Sequence, residues 1–358
     1  MAPGEIFMAV LMVFVPLALA LYFAHRPVPT FFAACLGIIP LAWLMGKATE
    51  MLAHRVGSGL GGFLNATFGN AAELIIGVVA LRAGNITLVK ASITGSIIGN
   101  ILFVLGLAVL LGGLRRKGQT VNITAASAAS SMLLLSVFAL ALPALFHIFI
   151  PPDRLPNVEK DLSLAIAVVL LVLYAASLLF NLKTHKHLYC ETEGGRAEGP
   201  LWSVKFSMGV LGAATVGVAV MAEVLLHGLD EAIASMGLTE TFVGVVIIAL
   251  IGNAAEHSTA VWMAMKDRMN LSFTIAMESS KQIALFAAPL LVLLGRFVGP
   301  NAQGDLMDLD FAPMEVVAVS ASVFMAAQIC QDGETNWLEG ALLLGVYAIL
   351  AAGFFFIP

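Results

Sequence analysis

The sequence predicts an all-α integral membrane protein of eleven transmembrane helices, an extra first helix followed by two inverted five-helix repeats. Three observations predict it. Charged residues make up 11% of the chain, against about 25% in an ordinary soluble domain. Unbroken apolar runs approach the ~20 residues that a spanning helix needs. One five-residue segment carrying Asn and Glu recurs in the second half.

Composition settles the class. Hydrophobic residues are 60% of the 358, and mean hydropathy is +0.96. With 18 Lys+Arg and 23 Asp+Glu the chain cannot coat a soluble body of this size. The formal net charge of −5 argues against a nucleic-acid partner. The strands of an outer-membrane barrel would alternate apolar and polar residues, and these runs do not. Cys35, Cys190 and Cys330 are too scattered for a disulfide framework or a thiolate metal site. The opening MAPGEIF has no basic residue before its apolar run, so that run is read as a span rather than a secretory signal.

The eleven spans fall near 5–24, 30–54, 60–82, 87–112, 122–149, 160–182, 202–228, 240–265, 270–298, 311–330 and 336–357. Gly, Pro and charged clusters separate them. The longest polar stretch follows the sixth span and divides the chain. Residues 1–28 form the extra helix, 29–182 the first repeat, 183–200 a cytosolic linker and 201–358 the second repeat. Even loops and their flanks hold eleven Lys and Arg, from Lys47 to Arg268. Odd ones hold six: Arg26, Arg82, Lys90, Arg154, Lys160 and Arg296. Positive charge stays inside, so the N-terminus is expected in the cytoplasm and the C-terminus outside.

Gly69-Asn70-Ala71-Ala72-Glu73 returns as Gly252-Asn253-Ala254-Ala255-Glu256, an offset of 253 − 70 = 183. The same offset places Ser96 on Ser279 and Gly112 on Gly295 without a gap. The third and eighth spans are then equivalents five spans apart. Five is odd, so the second copy sits upside down. That plan belongs to secondary transporters, whose sites lie near the midplane between repeats.

A carboxylate at bilayer depth costs about 2.5–3.5 kcal/mol on insertion scales, so Glu73 and Glu256 call for a function. Protonated, hydrogen-bonded glutamates are the structural alternative. Duplication of the whole motif favours a shared site. Asn70 and Asn253 add amide oxygens one turn before each Glu. Ser96 with Asn100, and Ser279 with Gln282, put further oxygens on one face of the following spans. Gly-Asn can also loosen the helix and free backbone carbonyls, which is tolerated where they line a cavity. An all-oxygen set suits Ca²⁺ better than Mg²⁺ or soft metals. The same carboxylates take protons, so Ca²⁺ and H⁺ compete for one set of oxygens. No nucleotide fingerprint is present to drive a pump.

The paired GNAAE segments, the acidic Glu50 and Glu223 in the span before each, SSKQIALFAAP in the ninth span and the DGETNWLEG tail resemble the calcium/proton antiporter family, within the cation/calcium exchanger superfamily. The resemblance runs from about residue 30 to the end. It implies that Glu73 and Glu256 coordinate Ca²⁺, and that Asn70, Asn253, Asn100 and Gln282 line the site. It implies that Glu50 and Glu223 stand beside the ion passage on moving spans. It also implies an acidic cytosolic linker, of which Glu191, Glu193 and Glu198 remain, offset by Lys183, Lys186 and Arg196. His257, next to Glu256, is either a proton relay or a hydrogen-bonded structural histidine.

One departure stands out. The family pattern of Gly-Ser-Ser-apolar-Gln reads Glu278-Ser279-Ser280-Lys281-Gln282 here. Glu278 and Lys281 are spaced i,i+3 and can pair. The pair is either compensated and structural, or Lys281 acts as a tethered cation that modifies selectivity. The expectation is therefore a membrane antiporter exporting cytosolic Ca²⁺ against protons, with no cofactor and no enzymatic activity. A homo-oligomer is compatible with it. The absence of long extensions suits a prokaryotic inner membrane, with a vacuolar membrane as the alternative. A sodium/calcium exchanger and a cation channel are the rivals.

Overall fold

The computed structural model describes residues 3–56, 61, 64, 67–114, 116–149, 155–185, 202–301 and 304–356. Most of the linker expected at 183–200, with its three glutamates, lies outside the described residues.

The chain opens with α1 (Pro3–Leu11) and α2 (Phe14–Phe23), which together make one apolar stretch, and α3 (Pro27–Val56). After the first GNAAE segment come α4 (Ala71–Arg82) and α5 (Ile86–Ile98). A π-helical segment (Gly99–Val104) joins α5 to α6 (Leu105–Gly113). Next are α7 (Ile123–Phe149), then α8 (Leu155–Leu179) ending in a π-turn (Phe180–Thr184). The second half begins with α9 (Val204–His227), α10 (Leu229–Met236) and the short α11 (Glu240–Phe242). A π-segment (Val243–Ile248) leads into α12 (Ala249–Gly252) and α13 (Ala254–Met265). Then follow α14 (Met269–Gln282), another π-segment (Ile283–Ala287) and α15 (Ala288–Val298). Finally come α16 (Pro313–Ile329) and α17 (Trp337–Phe356). Among the described residues eight helices are long and apolar enough to cross a membrane. The count becomes nine if α10 and the 240–252 stretch, bent by 109° to one another, are taken as one span.

The first and second halves interlock. α3 and α9 run antiparallel: the chain at Pro27 meets Gly228, Leu41 meets Gly217, and Arg55 Nε donates to Trp202 O at 3.1 Å. A Cβ on Gly95 would lie 2.2 Å from Val245 O, so only glycine lets α5 and the 243–248 segment touch backbone to backbone. α5 and the π-segment after it bury Ser96 and Asn100, and α14 buries Ser279. Both continue into π-segments, at Gly99–Val104 and Ile283–Ala287, which the sequence offset of 183 nearly superposes. Such wide turns re-aim side chains and occur often at functional sites.

The structure adds one element to the expected all-α fold. Gln119–Thr120 pairs antiparallel with Glu334–Thr335 in a two-stranded ribbon. It explains the DGETNWLEG tail. Gly333 adopts φ +77° and accepts from Val121 N at 2.8 Å. Asn336 Oδ1 caps α17 through Leu338 N, and Glu339 Oε2 answers from the Asn336 N–H, a reciprocal capping arrangement. That stretch is a structural joint between the 119–120 strand and α17.

Candidate ion-binding site

Both repeated motifs break a helix at asparagine. Asn70 leaves helical geometry at φ −103°, ψ 30°, and Asn253 at φ −94°, ψ 5°. Each asparagine carbonyl then starts the next helix, accepting from Leu74 N and His257 N. Glu73 and Glu256 therefore stand in the first turns of α4 and α13, where the partial positive charge of a helix N-terminus favours a carboxylate.

A polar lattice ties the two breaks to α5 and α14. Asn253 Nδ2 donates to Ser96 Oγ at 2.9 Å, and Ser279 Oγ donates to Asn70 Oδ1 at 3.0 Å. These two bonds are the same pair of residue types, related by the 183-residue offset. Asn70 Nδ2 also donates to Gln282 Oε1 at 2.8 Å. Asn100 Nδ2 donates to Ser279 Oγ at 2.9 Å, and Asn100 Oδ1 faces His257 Nε2 at 3.1 Å. Asn100 donates to Ser279, Ser279 to Asn70 and Asn70 to Gln282, and His257 Nε2 meets the chain at Asn100 Oδ1. His257 is thus part of the lattice.

The carboxylates lie inside this frame. Glu73 Oε1 and Cγ would sit 3.4 Å from a Cβ on Gly252, so the first motif's acid rests against the second motif's glycine. Glu256 is near enough for its charge to act on Glu73, and Ser279 Oγ is within hydrogen-bonding reach of Glu256. Glu73 Oε2, Glu256 Oε2 and Asn253 Oδ1 are closed from solvent and have no hydrogen-bond partner. Buried acceptors are normally satisfied. These three, drawn from both motifs, are hard oxygens of the kind a cation takes. Among the described residues no three His, Cys, Asp or Glu side chains come together, so the set is mixed, two acids with amides and hydroxyls. A cavity of about 290 Å³ runs along α13 from His257 past Val261 to Met265, with Phe103 and Leu107 opposite.

The other expected residues lie apart. Glu50 is exposed near the C-terminus of α3, 3.8 Å from His54. Glu223 is near the C-terminus of α9. Since α3 and α9 are antiparallel, the two acids stand toward opposite ends of the helix pair. Lys281 is 1% exposed and bonds both oxygens of Glu278, at 2.6 and 2.5 Å. At about 100° per residue, the pair lies roughly a quarter-turn or more around α14 from Ser279. Glu278 is instead close enough to act electrostatically on Tyr174 of α8. One buried acid escaped the sequence reading. Glu315 accepts from Thr94 Oγ1 and from Ala312 N, both at 2.9 Å. Its signal, an acid within the apolar 311–330 run, was the one used for Glu73.

The family described as sodium/calcium exchanger protein matches residues 27–183 and 206–356. The chain belongs to that family. It is 45% identical to a Ca(2+)/H(+) antiporter of Aphanothece halophytica, over 97% of this chain and 96% of the relative. It is 40% identical to the Ca(2+)/H(+) antiporter ChaA of Bacillus subtilis strain 168, over 98% and 99%. The solved structure of native YfkE superposes with a TM-score of 0.83 at 37% identity, covering 98% of this chain and all of that one. The family resemblance carried by the GNAAE segments is therefore established at the level of the whole chain.

Proposed function

We propose that this member of the exchanger family is a secondary active antiporter that moves Ca²⁺ out of the cytosol in exchange for protons. The observation that carries the reading is that Glu73 Oε2, Glu256 Oε2 and Asn253 Oδ1, from two copies of one motif, are buried and unpartnered, with Glu73 against Gly252 of the second copy. The relatives named as Ca(2+)/H(+) antiporters supply the ion pair. Two carboxylates in a low-dielectric interior repel each other and need neutralising. One Ca²⁺ does so through several oxygens at once. Protons do so on the same oxygens when the metal leaves. Because the two occupants exclude one another, a proton gradient drives Ca²⁺ the opposite way.

Asn70, Asn253, Ser96, Ser279, Asn100 and Gln282 hold the carboxylates in place and lend oxygens. Eleven spans, an extra first helix and two inverted five-helix repeats, give the site alternating access to the two sides. Rocking of α3 and α9, which carry Glu50 and Glu223, opens it to each side in turn. The N-terminus lies in the cytoplasm of a prokaryotic cell and the C-terminus outside its inner membrane.

The test is flux in proteoliposomes. An imposed pH gradient drives radiocalcium uptake without sodium or ATP, and lowering pH on the Ca²⁺ side raises the Ca²⁺ needed for half-saturation. Uptake driven by sodium and indifferent to an uncoupler overturns the proton assignment. Non-saturating flux without counter-ion overturns exchange altogether and favours a channel.

A further inference from the structure

A groove of about 750 Å³ lies between α2, α4 and α9, where all three helices end. We propose that it binds one phospholipid whose headgroup carries both a phosphate and a primary ammonium.

Exposed faces of α9 and of the first span border the groove. On α9, Val216 and Val220 are 63% and 41% exposed. Glu223 and His227 continue the same stripe at helical spacing, so the lipid-facing side of the helix ends in these two polar groups. The opposite wall is the first span, whose apolar window is only 17% buried and which ends in Phe23, 74% exposed. On α4, Val79 and Arg82 lie roughly 120° and 180° around the axis from Glu73 at about 100° per residue. The groove therefore presents the back of α4 and gives no direct route to the carboxylate.

Its charges are complementary to a zwitterion. Arg82 and Glu223 both line the groove, yet neither has an ion-pair or hydrogen-bond partner among the described residues. Both sit at helix ends, the depth at which headgroups lie. A guanidinium takes a phosphate through paired N–H donors. A carboxylate takes the N–H donors of a primary ammonium. Tyr22 and His227 meet edge to face at 4.8 Å across the groove, an aromatic wall of the kind found at the interface. A glycerol headgroup brings no cation to Glu223, and a choline headgroup brings a nitrogen without an N–H. Acyl chains would follow Val220 and Val216 down the exposed stripe.

The test is native mass spectrometry of the full chain, released from micelles holding equal phosphatidylethanolamine, phosphatidylcholine and phosphatidylglycerol. One phosphatidylethanolamine should be retained in preference to the other two. Arg82→Ala and Glu223→Gln should each lower its retention about five-fold, the effect of one charge at a headgroup surface. Arg82→Lys should keep most of it. Val220→Trp, which fills the groove and spares both charges, should lower it as well, with thermal unfolding in detergent confirming that each variant is folded. Equal retention of phosphatidylethanolamine and phosphatidylcholine by the parent overturns the proposal. So does unchanged retention in folded Arg82→Ala and Glu223→Gln, or a lipid-free species at twice the chain mass, which assigns the groove to a second copy.

Discussion

The two motif-bearing halves share a frame and differ in what fills it. Each has an Asn at a helix break, a Glu in the next turn, and a Ser on the following helix that bonds the other half's Asn. Around that frame the halves diverge. Leu74 stands where the second half has His257, Gly95 where it has Glu278, and Ile98 where it has Lys281. Asn70 uses both ends of its amide, to Gln282 and Ser279, whereas Asn253 leaves Oδ1 unpartnered. The shared asparagines and serines bond across the two halves. The differing ones make the surroundings of the two motifs chemically unlike.

The strongest way to break the comparison is to neutralise one acid at a time. Glu73→Gln and Glu256→Gln should each abolish pH-driven radiocalcium uptake, although the halves differ around them. Substantial residual exchange in either variant would show that one half suffices.

Next is the second half's ion pair. Lys281→Ile leaves Glu278 as a carboxylate without its cation inside the bundle, and removing one partner of a buried pair costs about 3–5 kcal/mol. Thermal unfolding in detergent should fall sharply for the single variant. Glu278→Gly with Lys281→Ile, which copies Gly95 and Ile98 of the first half, should recover most of it. If the double variant also exchanges with unaltered preference among Ca²⁺, Mn²⁺ and Na⁺, the pair is structural and the tethered-cation idea is lost.

The serines sharpen the asymmetry further. Ser279 bridges Asn70 and Asn100 and reaches Glu256, while Ser96 is bonded by Asn253. Loss of a residue supporting a metal ligand typically costs 10- to 100-fold in affinity or activity. Ser279→Ala should fall near about 100-fold and Ser96→Ala near about 10-fold in apparent Ca²⁺ affinity, read from the concentration dependence of uptake. Equal losses would mean that the lattice is symmetric in function. The smallest effect belongs to His257→Leu, which copies Leu74 and frees Asn100 Oδ1. One lost hydrogen bond, about 1 kcal/mol, predicts roughly a five-fold change in affinity with exchange retained. Loss of proton coupling with Ca²⁺ binding intact would instead make His257 a relay.

Much of this was readable without coordinates. Glu73 and Glu256 stood out because a carboxylate is expensive in an apolar run, and the offset of 183 paired them with Ser96 and Ser279. Glu315 shows the limit of that signal. It too is an acid in an apolar run, but it answers to Thr94 and a helix start, and only its partners distinguish it from an ion ligand. The DGETNWLEG tail was legible as a marker and not as a ribbon and cap, because a two-residue strand has no periodicity to read.

The sequence by itself determined that the chain spans a membrane, that it repeats a five-residue motif, and that two acids fall within apolar runs, since hydropathy and motif identity are properties of consecutive residues. The tertiary structure decided which oxygens meet, that the hydrogen-bond chain runs from His257 to Gln282, and that Glu50 and Glu223 stand at opposite ends. Those are contacts between residues about 150 to 210 positions apart. No local pattern encodes them, because they exist only once antiparallel helices have packed and the helix breaks have turned their side chains inward.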